Sequence, residues 1–271
     1  MIPRRHIIAW RTHAPWLDET MVEQDLILSR AIVDVFSDNA LSEQLAFRGG
    51  TALHKIFLRQ MARYSEDIDL VQFKKGRAGP IFDQIQSVLN PWLGKPKRVL
   101  KSNRVNLIYR YNSESTGLPA KLKVEINTRE NFSVLGRVRV PFEMQSAWFS
   151  GKTEVQTFPL DELLATKLRA LYQRKKGRDL FDLWMSLQKK TANPDRIVST
   201  FQKYMQHSEL SITQAQFEKN MKEKMGDSRF VEDIFSLLPN NFQYSISEAM
   251  DMVQKLLIEK LPGEPWKGED D

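Results

Sequence analysis

The stretch that most restricts the fold is Ser65-Glu66-Asp67-Ile68-Asp69-Leu70-Val71, in which acidic and aliphatic residues alternate. A period of two fits a strand with one buried face. Ile68 and Leu70 are therefore predicted to enter a core, while Asp67 and Asp69 project from the other side. Along a strand these carboxylates stand about 7 Å apart. Like charges held that close repel unless a cation lies between them. A hard ion such as Mg²⁺ takes one or two carboxylates together with substrate phosphates, which makes Asp67 and Asp69 candidate metal ligands. Taken alone, Asp-x-Asp is common and also fits a solvated strand face.

The residues before the strand sharpen the reading. Gly49-Gly50-Thr51 opens a helical pattern carried by Leu53, Ile56, Phe57 and Met61. Backbone N–H groups at a helix start, unobstructed by side chains, can cradle phosphate, although a tight turn uses the same glycines. A buried helix is predicted over 23–37 and another over 81–89, ending before Pro91. Strand-like alternation returns at 105–111, 121–128 and 137–140, with 154–158 as a further strand. From Leu160 onward the pattern is helical, with breaks near Gly177, Asn193-Pro194, Gly226 and Pro239-Asn240. The order predicts an α/β (α+β) core with a mixed sheet over 1–159. A helical domain over 160–262 is expected to complete the active-site cleft, followed by a frayed tail over 263–271.

The strand at 121–127 offers a third carboxylate. Leu122, Val124 and Ile126 form its apolar face, and Glu125 stands opposite them between Lys123 and Asn127. Such a residue can orient a metal and help deprotonate an attacking hydroxyl, or simply belong to a mixed-charge sheet surface. In the helix beginning at Leu160, Lys167 falls within the stripe of Leu160, Leu163, Leu164, Leu168 and Leu171. A lysine there must snorkel, pair with a carboxylate, or point into a cleft where it can neutralise a triphosphate. Asp179 flanks the next apolar stripe near a helix start, a position that also suits an N-cap. Asp182 lies nearly opposite that stripe.

Composition narrows the class. With 41% hydrophobic and 27% charged residues in 271, the chain reads as globular rather than disordered. The absence of cysteine excludes a disulfide framework, a cysteine nucleophile and a thiolate metal site. His6, His13, His54 and His207 lack ligand-like spacing, so no zinc centre is expected. No long apolar run or secretory leader is evident, and a cytoplasmic protein without membrane segments is expected. The net charge of +6 favours a polyanionic partner. Basic residues cluster at Lys95, Lys97, Arg98, Lys101 and Arg104, and again at Arg174, Lys175, Lys176 and Arg178.

A glycine pair, a helix and an Asp-x-Asp strand in this order resemble the nucleotidyltransferase superfamily. More narrowly, FRGGTALHKIF followed by RYSEDIDLV resembles the AbiEii/AbiGii toxin family of bacterial type IV toxin–antitoxin pairs. The first motif matches at Gly49, Gly50, Thr51, Leu53, Ser65, Asp67, Ile68, Asp69 and Leu70. KLRALYQRKKGRDLFDLW resembles the family's second signature, through Lys167, Arg174, Arg178, Asp179 and Asp182. Beyond about residue 195 the resemblance gives no residue-by-residue match.

The resemblance implies transfer of a nucleoside monophosphate from an NTP, with Mg²⁺ on Asp67 and Asp69 and release of pyrophosphate. It implies catalytic roles for Asp67, Asp69, Glu125, Lys167 and Asp179. Nucleotide contacts are expected at Gly49, Gly50, Thr51, Ser65 and Lys167. The implied acceptor is RNA, with the tRNA 3′ end foremost, running past Arg174, Lys175, Lys176 and Arg178. It also implies a paired antitoxin of the transcriptional-repressor type that need not bind the toxin, and a part in phage defence. Alternatives are a protein or small-molecule acceptor, or a non-catalytic nucleotide- or RNA-binding module.

Overall fold

The computed structural model describes residues 2–58, 62–101, 104–189 and 191–268. Met61 of the predicted second helix, the Lys101 side chain and tail residues 269–271 lie outside the described residues. The chain divides into two compact units, Met1–Phe158 and Pro159–Asp271.

The first unit begins with helices α1 (Arg4–Trp10), α2 (Glu19–Ser37) and α3 (Asn39–Ser42) and strand β1 (Leu45–Arg48). Helix α4 (Gly49–Ala52) runs directly into a π-helical segment, Leu53–Leu58. Then follow β2 (Asp67–Gln72), α5 (Gly79–Leu93), β3 (Lys97–Lys101), β4 (Arg104–Asn112), β5 (Pro119–Asn127), β6 (Val138–Gln145) and β7 (Ser150–Thr157). They build a seven-stranded sheet in the order β3-β4-β5-β2-β1-β7-β6. It is mixed: β2 pairs with β5 in parallel and with β1 antiparallel, and β1 pairs with β7 in parallel.

Alternation places the acidic strand as its period demands. Ile68, Leu70, Leu122, Val124 and Ile126 are buried, while Asp67, Asp69, Lys123 and Glu125 keep partial access to solvent. Buried polar residues of α2 brace this arrangement. The Gln24 amide donates to the carbonyls of Lys121 at 2.9 Å and Glu66 at 3.3 Å, joining β5 to the start of β2. Glu23 accepts from Ser113 Oγ at 2.6 Å and from the Glu114 N–H at 3.1 Å, which fixes the β4–β5 turn. Buried carboxylates persist only where such partners replace water.

Helix α5 corrects one expectation: it continues through Pro91 to Leu93. In the final turn a proline forfeits one backbone donor without disrupting a long helix, and Gly94, at φ 75°, ends the helix instead. Four elements of this unit carry no clear sequence signal: α1 and α3 are short, β1 is four residues with no exposed alternate position, and β3 falls in a basic cluster.

The second unit contains α6 (Leu160–Gln173), α7 (Gly177–Leu187), α8 (Pro194–His207), α9 (Gln214–Met225), α10 (Ser228–Glu232) and α11 (Ile246–Leu256). Its core gathers Leu164, Leu168, Leu171, Leu180, Leu183, Phe201, Phe217 and Phe230, all fully buried. The start of the tail departs from the expected fraying. The Trp266 N–H donates to Glu218 at 2.7 Å, and Lys222 Nζ lies 4.6 Å from the centre of the Trp266 ring. No helix among the described residues is long and apolar enough to cross a membrane.

Candidate active site

In the first unit, strand register gathers the acidic residues. The β2–β5 pairing sets Asp67 beside Lys123 and Asp69 beside Glu125, while β1 sets Arg48 opposite Asp69. Asp67, Asp69 and Glu125 thus share one sheet face. Lys123 Nζ lies 2.7 Å from Asp67 Oδ2 and 3.7 Å from Glu125 Oε2, and Arg104 Nη1 lies 2.8 Å from Glu125 Oε1. Arg48 pairs with Glu130 at 2.8 Å.

Burial pushes the Asp67 carboxyl above its ordinary value, more than the hydrogen bond and charge of Lys123 pull it down. Asp69 is pushed up too, first by burial and then by the charge of Asp67, against the opposing pull of Arg48. These are carboxylates short of positive charge.

The glycine pair sits directly against this cluster. Gly49 adopts φ +81°, and a Cβ there would collide with the Asp69 carboxylate. A Cβ on Gly50 would collide with the guanidinium of buried Arg63. Gly49 is demanded by its left-handed backbone as well as by the close approach of Asp69, whereas at Gly50 the crowding comes from the end of the Arg63 side chain. Thr51 Oγ1 bonds Ser65 Oγ at 2.8 Å and donates to the Asp67 carbonyl at 2.6 Å, stitching α4 to the start of β2. The structure shows Thr51 and Ser65 in this bracing role.

Among the described residues, no group of three or more His, Cys, Asp or Glu side chains is arranged to hold a metal. The donor chemistry of Asp67 and Asp69 still suits a hard divalent ion: two carboxylates on one sheet face, with a lysine ammonium already drawn to one of them.

In the second unit, Lys167 answers the choice left by the sequence: it pairs. Its Nζ lies 2.7 Å from Asp182 Oδ2 and 3.3 Å from Asp179 Oδ1, with all three side chains buried. Asp182, nearly opposite the α7 apolar stripe, is nonetheless fully buried, where it meets Lys167 of α6. Asp179 lies in the first turn of α7 but caps nothing. Arg174 grips it with Nε at 2.6 Å from Oδ2 and Nη2 at 2.8 Å from Oδ1. Burial alone would push the Asp179 carboxyl up; Lys167 and Arg174 outweigh it and hold it below the ordinary value.

Lys224 carried no sequence signal. Buried on α9, it donates to the carbonyls of Leu171 and, at 2.7 Å, Tyr172 in the last turn of α6, just before Arg174. Burial lowers its ammonium to about 8.

The basic turn is matched with acids. Lys175 pairs with Asp227 at 3.4 Å, and Lys176 and Arg178 pair with Asp233 at 3.1 and 3.2 Å. A separate cavity of about 990 Å³ in the first unit, lined by Trp10, His13, Lys55, Phe142 and Lys152 among others, includes none of the predicted site residues. The charge of Lys55 there is met by Asp25 at 2.7 Å.

A family model described as the nucleotidyl transferase AbiEii toxin of type IV toxin–antitoxin systems matches residues 30–252. Among solved structures, MenT4, a nucleotidyltransferase toxin from Mycobacterium tuberculosis, superposes with a TM-score of 0.65 at 16% identity, over 97% of this chain and 91% of that one. A putative nucleotidyltransferase from Helicobacter pylori gives 0.58 at 20% identity, over 90% and 97%. JHP933 from the same organism gives 0.55 at 18% identity, over 90% and 94%. These similarities show a shared fold. No curated protein matches the chain in sequence.

Proposed function

Because the chain belongs to the AbiEii nucleotidyltransferase toxin family of type IV toxin–antitoxin systems, we propose that it transfers NMP from an NTP to the 3′-hydroxyl of an RNA, foremost the acceptor end of tRNA. The observation that carries the chemistry is the register that brings Asp67, Asp69 and Glu125 onto one sheet face beside Gly49.

In the proposed reaction the hydroxyl oxygen attacks the α-phosphorus, the α–β anhydride bond breaks, and pyrophosphate departs. Mg²⁺ held by Asp67 and Asp69 would supply charge neutralisation and Lewis acidity at the phosphates. Glu125 takes the hydroxyl proton. The helix start at Gly49 and Gly50 holds phosphate oxygens, with Thr51 and Ser65 fixing its position against β2. In the second unit Asp179 positions both Lys167 and Arg174. Positioning and electrostatics account for most of the rate in such transfers. The family also implies a cognate antitoxin, which we assign to the repressor type, and a cytoplasmic site of action.

A second reading, transfer to a protein or small molecule, draws on the ion pairs of Lys175, Lys176 and Arg178. Surface pairs of this kind are worth only about 0–1 kcal/mol, so RNA phosphates can exchange with them. The test is incubation with total RNA, soluble protein and each NTP labelled at the α or γ position. RNA transfer predicts retained α-label at RNA 3′ ends and no γ-label. Label confined to protein or small molecules selects the second reading, and no retained label in any fraction overturns both.

A further inference from the structure

We propose that Lys123 is a built-in counterion that occupies the cation position beside Asp67 and must be displaced before a divalent ion can bind, so that this lysine sets the metal affinity of the site. The inference rests on the reading of Asp67 and Asp69 as metal ligands.

The geometry is specific to the register. Lys123 is the β5 partner of Asp67, and Glu125, two residues on, is the partner of Asp69. The lysine therefore projects from the acidic face rather than from the apolar one. Its ammonium is 2.7 Å from Asp67 and 3.7 Å from Glu125. An ammonium seated on Asp67 Oδ2 and a divalent ion on the same oxygen compete for it and repel one another. Lys123 has a short route out. Its side chain is 28% exposed, and Glu125 Oε2 is the neighbouring acceptor already within reach. Displacement would therefore exchange one partner for another instead of stranding a charge. Asp69 instead faces Glu125 on β5 and Arg48 on β1, whose guanidinium pairs with Glu130. The pair is thus asymmetric: Asp67 carries the direct lysine contact, and Asp69 does not.

Metal affinity, read apart from turnover, tests this. Mn²⁺ has the same oxygen preference as Mg²⁺ and can be followed by the loss of its free electron paramagnetic resonance signal. Titrations would compare the full-length wild type with Lys123→Met, Lys123→Arg and Asp69→Asn. Methionine keeps the unbranched stem but frees Asp67. A partly exposed ion pair is worth up to about 1 kcal/mol, so Lys123→Met should bind Mn²⁺ about fivefold more tightly. Lys123→Arg places a forked cation that can grip Asp67 through two donors and is harder to displace, so it should bind Mn²⁺ more weakly than wild type, a comparison that stands even if the methionine variant fails to fold. Equal or weaker binding by folded Lys123→Met, or unchanged binding by Lys123→Arg, overturns the proposal. If wild type shows no Mn²⁺ binding that Asp69→Asn removes, the metal-site reading itself falls, and the lysine proposal with it.

Discussion

Two acidic clusters in this chain meet burial in opposite ways. On β2, burial pushes Asp67 and Asp69 up, and the nearby cations do not offset it. On α7, Asp179 is more completely enclosed, yet Lys167 and a forked Arg174 hold it below its ordinary value. A carboxylate with complete compensation has little left to offer a ligand. One left short of positive charge is poised for a cation. The difference separates a site prepared to receive from one whose ions already hold each other.

The largest effect expected from breaking this contrast is on turnover. Asp67→Ala or Asp69→Ala should reduce transfer by at least about a thousandfold, as loss of a main electrostatic element does, while circular dichroism stays native. Full activity in either folded variant would place the chemistry elsewhere. Next comes the stability of the second unit. Lys167→Met removes a buried cation from both Asp179 and Asp182, and breaking a buried pair costs about 3–5 kcal/mol. Urea unfolding followed by circular dichroism should show this, and Lys167→Met combined with Asp182→Asn should recover part of it. An unperturbed midpoint would mean the lysine merely snorkels.

A third, smaller effect concerns Lys224. Its ammonium is held near 8 against an ordinary 10.5, so between those values the unfolded chain binds more protons. Stability should therefore rise with pH across that window. Lys224→Met should remove that part of the slope. A slope identical in both proteins would show that the folded lysine titrates normally.

The legibility of the molecule in its sequence followed the same division between local and non-local information. The acidic strand and β5 were readable because one face is apolar and one polar, and a period of two survives any tertiary context. The helix at 23–37 was readable from its dense apolar residues, and α6 from leucines recurring at helical spacing. The brief β1, Leu45-Ala46-Phe47-Arg48, has its first three residues buried and therefore no alternation to read. That Lys123 meets Asp67 depends on a parallel register across the intervening α5, β3 and β4, which local pattern cannot supply. The burial of Asp182 depends on Lys167, which sits on another helix, so the α7 pattern alone cannot supply it. Lys224 was one basic residue among 40 until the carbonyls it caps were in place.

The most direct measurement of the contrast is a paired one: thermal unfolding of the metal-free protein at neutral pH, for wild type, Asp69→Asn and Asp179→Asn. A carboxyl whose folded pKa is raised costs stability once pH exceeds its unfolded value of 3.8, so neutralising Asp69 should raise the midpoint. A carboxyl whose folded pKa is lowered contributes stability above that same value and loses it as pH falls through the folded pKa, so neutralising Asp179 should lower the midpoint at pH 7. Opposite signs are the predicted result. Two shifts of the same sign would contradict the division into a cation-seeking cluster and a self-compensated one.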